Sequence, residues 1–229
     1  MQNHEFYFHV HVPYRCGFKP TPVYKPAPIN CLRANLHLQS HQNIIHFPNF
    51  TPMLKSNLPP HHPYLTHYIN LVKQDELLSA LEASLVFLSE LSVSDFQGKE
   101  LYSYADGKWT VQEVLQHIID TERVMTYRAM RFARKDATEL PGFDENSFSD
   151  NSFANMRSMQ NILDELVLMR KSTIALYQSF NEEQLLFLGT ANGNKNCAAT
   201  IGFFTIGHAL HHLNVLQERY GIILRYSHQ

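Results

Sequence analysis

From about residue 74 the chain alternates apolar and polar positions with the period of an α-helix. "QDELLSALEASLVFLSEL" places Leu77, Leu78, Leu81, Leu85, Leu88 and Leu91 on one face. "WTVQEVLQHIIDTERVMTYRAMRFARK" has its stripe in Val111, Val114, Ile118, Met125, Ala129 and Phe132. Its start is a capping box: Thr110 accepts from the Glu113 amide and Glu113 reaches back. "SMQNILDELVLMRKSTIALYQSF" has Ser158 at the N-cap position, and Asn181 with Gln184 predicts a short helix over "EEQLLF". A last helix is predicted from about Thr200 to Tyr220, stopped by Gly221. Four long amphipathic helices without strand patterns predict an all-α four-helix bundle. The segment 136–157, between the second and third helices, reads as a long loop of the kind that lines sites.

Before residue 61 the pattern changes. "KPTPVYKPAP" cannot be helical, because its prolines remove donors and hold their predecessors extended. Ten of the eleven prolines precede residue 64, and residues 1–74 carry six basic residues against one acid. The remainder carries thirteen basic and twenty acidic residues, so a composition boundary divides the chain. Residues 1–60 read as an irregular Pro/His-rich arm, either disordered or the product of a start assigned upstream of Met53. Residues 61–229 read as the bundle. "FYFHVHVPY" alternates like a short strand that pairs His9 with His11, but no third metal ligand accompanies them.

Composition narrows the function classes. The chain is 44% hydrophobic and 17% charged, ordinary for a globular protein. Its net charge of -2 gives no electrostatic footprint for nucleic acid. No apolar run reaches membrane-spanning length. The start lacks the basic and apolar regions of a signal peptide. Cys16, Cys31 and Cys197 form neither a disulfide framework nor a metal motif, so a cytoplasmic setting is the expectation.

The chemistry concentrates in "TIGHALHHLNVLQERY", 205–220. At about 100° per residue, Thr205, Ala209, Leu213, Leu216 and Tyr220 form the apolar stripe. His208 and His212 border it, while His211 turns to the solvent side with Asn214 and Glu218. An i, i+4 histidine pair lets two imidazoles reach one metal from adjacent turns. The second helix offers one more, His117, which borders its own stripe. Thr121 lies one turn on, on the same side. Glu122 lies on the other flank, where a carboxylate needs a cationic partner such as Arg128 or Arg219.

"KWTVQEVLQHIIDTERVMTYRAMRFARKD", "LPGFDEN", "GTANGN" and "GHALHHLNVLQERY", in that order and spacing, resemble the DinB-like superfamily of damage-inducible, metal-dependent hydrolase type. The resemblance spans about residues 61–222. It implies a four-helix bundle, usually a homodimer, whose divalent metal is held by one histidine of the second helix and an HxxxH pair of the fourth. Carried over by position, these are His117, His208 and His212. Relatives often carry an acid after the first histidine of the pair, where this chain has Ala209, which alters the support available to the site.

Three neutral imidazoles leave a divalent ion with open positions, the arrangement of a catalytic site. Zinc and nickel suit such ligands, with iron, manganese and copper also compatible. The metal would activate water against an ester or amide, or hold a low-molecular-weight thiol as its thiolate. The resemblance implies both hydrolases and thiol transferases, and transfer of a small thiol is the reading favoured here. A hydrolase is the alternative, and a non-catalytic metal or small-molecule binding protein of stress response is the third. Glu122 and Thr121 are the candidate catalytic groups beyond the metal.

Overall fold

The computed structural model describes residues 52–224. The His9/His11 strand, Cys16 and Cys31 lie outside the described residues. Those residues form eight helices and one small hairpin. The four long helices are α2 (Leu77–Glu90), α4 (Val111–Ala133), α6 (Met159–Gln178) and α8 (Ala198–Tyr220). Short helices α1 (Pro63–Leu71), α3 (Val93–Phe96), α5 (Glu145–Ser152) and α7 (Glu182–Leu186) accompany them.

Capping chemistry sets the long helices. The Glu76 carboxylate accepts from the Leu78 and Ser79 amides to start α2. The Thr110–Glu113 box starts α4, with the Thr110 amide donating to Glu113 at 2.7 Å. Ser158 caps α6. Cys197 is buried and caps α8 through its sulfur. Gly221, at φ 61°, supplies the left-handed residue that ends α8.

Around the bundle the helices stand in the order α2, α6, α4, α8. Of the consecutive long helices only α4 and α6 are therefore neighbours: α6 and α8 face each other across one diagonal, and α2 and α4 across the other. An up-and-down bundle with short loops would pair them. Here the connections, residues 91–110, 134–158 and 179–197, are long enough to carry the chain across an end. The segment 136–157, expected as a loop, contains α5 and a 3-10 turn, Ala154–Met156. Asp144 caps α5 by accepting from the Ser147 amide, and Phe153 ends it at φ 52°. Residues 189–196, where no strand was expected, form an antiparallel hairpin, β1 (Gly189–Ala191) with β2 (Asn194–Asn196). Asn192 and Gly193 both have positive φ, as a tight two-residue hairpin turn requires.

Two apolar clusters fill the bundle. One gathers Leu77, Leu81, Phe132, Tyr177 and Phe203. The other gathers Leu88, Leu115, Ile119, Leu163 and Leu213. Met53, on the arm side of the composition boundary, is 1% exposed and belongs to the first cluster. Its carbonyl accepts from the Leu77 amide, so the packed structure reaches further upstream than residue 61. Composition misses it because one buried side chain among prolines leaves no periodic signal. Between the clusters every long helix contributes polar groups: Ser84 from α2, His117, Thr121 and Glu122 from α4, Arg170 and Thr173 from α6, Thr205 and His208 from α8. All are buried.

Candidate metal centre

His117 and His208 meet in this polar layer because α4 and α8 pack side by side with opposite chain directions. The first twelve residues of α8 are all buried, so His208, inside that stretch, is buried too. His212, one turn later, is half-buried. Nε2 of His208 lies 3.1 Å from Nε2 of His117 and 3.1 Å from Nε2 of His212. One ligand atom from each of the three lies within 4.8 Å of the others. Around a tetrahedral zinc with bonds of about 2.0–2.1 Å, neighbouring ligand nitrogens stand roughly 3.3 Å apart. The three residues fit a single divalent ion.

Electrostatics favour the ligating form. Burial pushes His117 down to about 4. Burial, then repulsion from His117 and His211, pushes His212 down to about 3. His208 is driven well below the usual imidazole range, first by burial and then by His212, His117 and His211. All three are neutral at pH 7, with lone pairs available to a cation. Three lone pairs converging on one point repel one another unless a proton or cation lies between them.

Aromatic rings wall the centre. The Trp109 ring centroid lies 4.7 Å from that of His117, and Phe204 lies 5.5 Å from His208. From α1, Tyr68 packs 5.8 Å from His208 and 5.3 Å from His211. His211, expected on the solvent side, is half-buried for this reason. Burial raises the Tyr68 phenol above the usual range, helped by the Tyr64 hydroxyl and the nearby Glu145 carboxylate.

The two other candidates differ in kind. Thr121 Oγ1 is buried and has no hydrogen-bond partner. Glu122 is 1% exposed and fully engaged. Its partner is Arg170, not Arg128 or Arg219. Arg170 Nε and Nη2 donate to its two oxygens at 2.9 and 3.0 Å, and the Thr173 hydroxyl donates at 2.6 Å. Arg128 instead donates to the Pro141 carbonyl, and Arg219 lies over Tyr104. Sequence reasoning missed Arg170 because it sits mid-helix in α6, where the wheel gives a face but not the level on a neighbouring helix.

The "GTANGN" segment forms the β1–β2 hairpin and does not border the histidines. It rests at the other end of α4, where a Cβ on Gly189 would meet the Phe132 ring. Phe132 lies fifteen residues beyond His117, roughly 22 Å along the helix.

Comparison with curated proteins finds no match. Among solved structures, the chain is similar to YfiT from Bacillus subtilis, at 18% identity and a TM-score of 0.50, over 69% of this chain and 89% of that one. YfiT is described as a probable metal-dependent hydrolase with an unusual four-helix bundle topology. At that identity the likeness concerns the fold alone. The family model of the DinB superfamily matches residues 74–216, more than half of the chain and all four long helices but the last turn of α8, and the protein therefore belongs to the DinB superfamily.

Proposed function

We propose that the protein is a divalent-metal-dependent enzyme in which His117, His208 and His212 hold the ion and a small thiol is the group activated for transfer. The observation that carries the metal reading is the convergence of three neutral imidazoles, two buried and His212 half-buried, with His208 Nε2 3.1 Å from the Nε2 of each of the others. The bound ion would supply positive charge that stabilises a thiolate or an ionised water at neutral pH. Trp109, Phe204 and Tyr68 exclude water from the flanks of the imidazoles and so strengthen that charge.

One observation favours thiol over water. Hydrolysis gains from a carboxylate free to take a proton. Glu122, the carboxylate nearest in sequence to His117 on its inward side, is held by Arg170 and Thr173. A thiol needs no such base, since coordination itself deprotonates it. Hydrolysis of an ester or amide remains the second reading, on the same three histidines.

The test is elemental analysis of freshly purified protein, followed by thermal-shift titration with cysteine, glutathione, bacillithiol and coenzyme A. A thiol that binds should stabilise the metal-loaded protein by roughly 2.7 kcal/mol at a hundredfold excess over Kd. His212→Ala should abolish both metal content and the shift. Metal-loaded protein that no thiol stabilises, but that cleaves ester or amide substrates, would move the assignment to hydrolysis.

A further inference from the structure

Helix α1 lies outside the residues matched to the family, yet it is seated on the ligand-bearing turn of α8. Gly207 immediately precedes His208, and a Cβ there would come within 2.0 Å of the Tyr68 carbonyl oxygen. The glycine lets the two helix backbones touch. As a result the Tyr68 ring is inserted between Phe204, at 5.1 Å, and the rings of His208 and His211.

Tyr68 is 7% exposed, and its hydroxyl pairs with the Tyr64 hydroxyl at 2.9 Å. Tyr64 is 56% exposed. Two phenols thus lead from solvent to the flank of His208. A phenol has one proton to give and two lone pairs. When Tyr64 donates to Tyr68, the Tyr68 proton is free for a third group. On α4, one turn beyond His117, the Thr121 hydroxyl is buried without a partner. Buried hydroxyls are seldom left unpaired. Unspent hydrogen-bonding capacity therefore flanks the histidines from two helices.

We propose that Tyr68, backed by Tyr64, donates a hydrogen bond to a small anionic ligand held at the His117, His208 and His212 centre, so that α1 supplies a positioning residue outside the family's shared segment. This rests on the metal centre proposed above. The ligand class is a compact anion, or a thiolate with a polar group close to its sulfur.

Cobalt(II) is the probe, because its visible spectrum reports both occupancy and ligand geometry. Wild type, Tyr68→Phe and Tyr64→Phe, each as the full chain, are loaded with cobalt(II) and titrated with azide. All three should bind one equivalent with the same spectrum before azide is added. Azide Kd should rise about tenfold or more in Tyr68→Phe, the loss of one hydrogen bond to a charged group, and by roughly two- to threefold in Tyr64→Phe, where a neutral bond that only supports it is lost. Should Tyr68→Phe fail to fold, Tyr64→Phe, altered at an exposed ring, decides alone. Azide affinity equal to wild type in the variants that fold overturns this inference and leaves the metal centre standing. Loss of cobalt from Tyr68→Phe in a folded protein also overturns it, since Tyr68 would then be packing that holds α8. Wild-type protein that takes no cobalt overturns the metal centre and this inference together.

Discussion

Glu122→Gln separates structure from chemistry in the polar layer. Arg170 is 0% exposed, and two of its nitrogens donate to the Glu122 carboxylate at 2.9 and 3.0 Å. Glutamine keeps the shape but removes the charge and turns an amide NH2 toward the guanidinium. That leaves a buried cation without its counterion, which costs about 3–5 kcal/mol. For a protein of this size the loss corresponds to a fall in Tm of roughly 6–20 °C. Arg170→Met alone should be comparably harmful, because it strands the carboxylate. The double variant Glu122→Leu/Arg170→Met should recover most of the loss. Its hydroxyls have other acceptors in place: the Met169 carbonyl lies 3.1 Å from the Thr173 hydroxyl and can take its proton, and Ser84 donates to the Leu81 carbonyl at 2.6 Å. Urea unfolding followed by far-UV circular dichroism, on metal-free protein, measures all three. A Glu122→Gln protein within about 1 kcal/mol of wild type would refute the reasoning. If its activity nevertheless collapsed, Glu122 would be a catalytic group and not a strut.

Metal-free protein should lose stability as pH falls below 6.5. The folded-state values of His117 and His212, about 4 and about 3, lie below the unfolded 6.5. The unfolded chain therefore binds more protons, and the contribution is full above pH 6.5 and lost on acidification. At pH 5 each costs about 2 kcal/mol relative to pH 7, which urea midpoints on chelator-treated protein would reveal; a midpoint flat from pH 7 to 5 would contradict the buried, neutral histidines. Gly207→Ala should push α1 off α8 and cost about 1–3 kcal/mol, against a helix-propensity gain of up to about 1 kcal/mol. A more stable Gly207→Ala protein would mean the backbones do not touch there. His211→Ala should leave metal content unchanged by elemental analysis, whereas loss of metal on that change alone would put the wrong imidazole in the centre.

The histidine centre was legible in the sequence because two helical registers sufficed to find it. His117, His208 and His212 each border an apolar stripe long enough to fix which side faces in. What lay off those stripes was not legible. α1 has only nine residues, so the cover it places over His211 had no signal. "ENSFSDNS" has no apolar period, and α5 is held by its Asp144 cap and its packing on α4. The Asn192-Gly193 pair is a hairpin signal, but strands of three residues are too short to show alternation. Periodicity also says nothing of level along a neighbouring helix, which is why Arg170 was missed as the partner of Glu122.

The polar layer contains two different answers to one problem. Buried polar groups must find partners, and the Glu122, Arg170, Thr173 and Ser84 half finds all of its own within the protein. The histidine half does not. His208 Nε2 stands between His117 and His212 at 3.1 Å from each. A neutral ring nitrogen there can donate one proton or accept, but it cannot satisfy both neighbours and leave every lone pair matched. A divalent cation is a partner that would satisfy all three. The ion pair then has a part in the site without touching it. It locks the level of α4 against α6 five residues beyond His117, about 8 Å along the helix. A strut at that distance keeps one imidazole from drifting relative to the pair on α8. A half that is complete holds the geometry of a half whose three imidazoles fit one ion, and the stability lost in Glu122→Gln should therefore come with weaker metal binding even though none of the three histidines has changed.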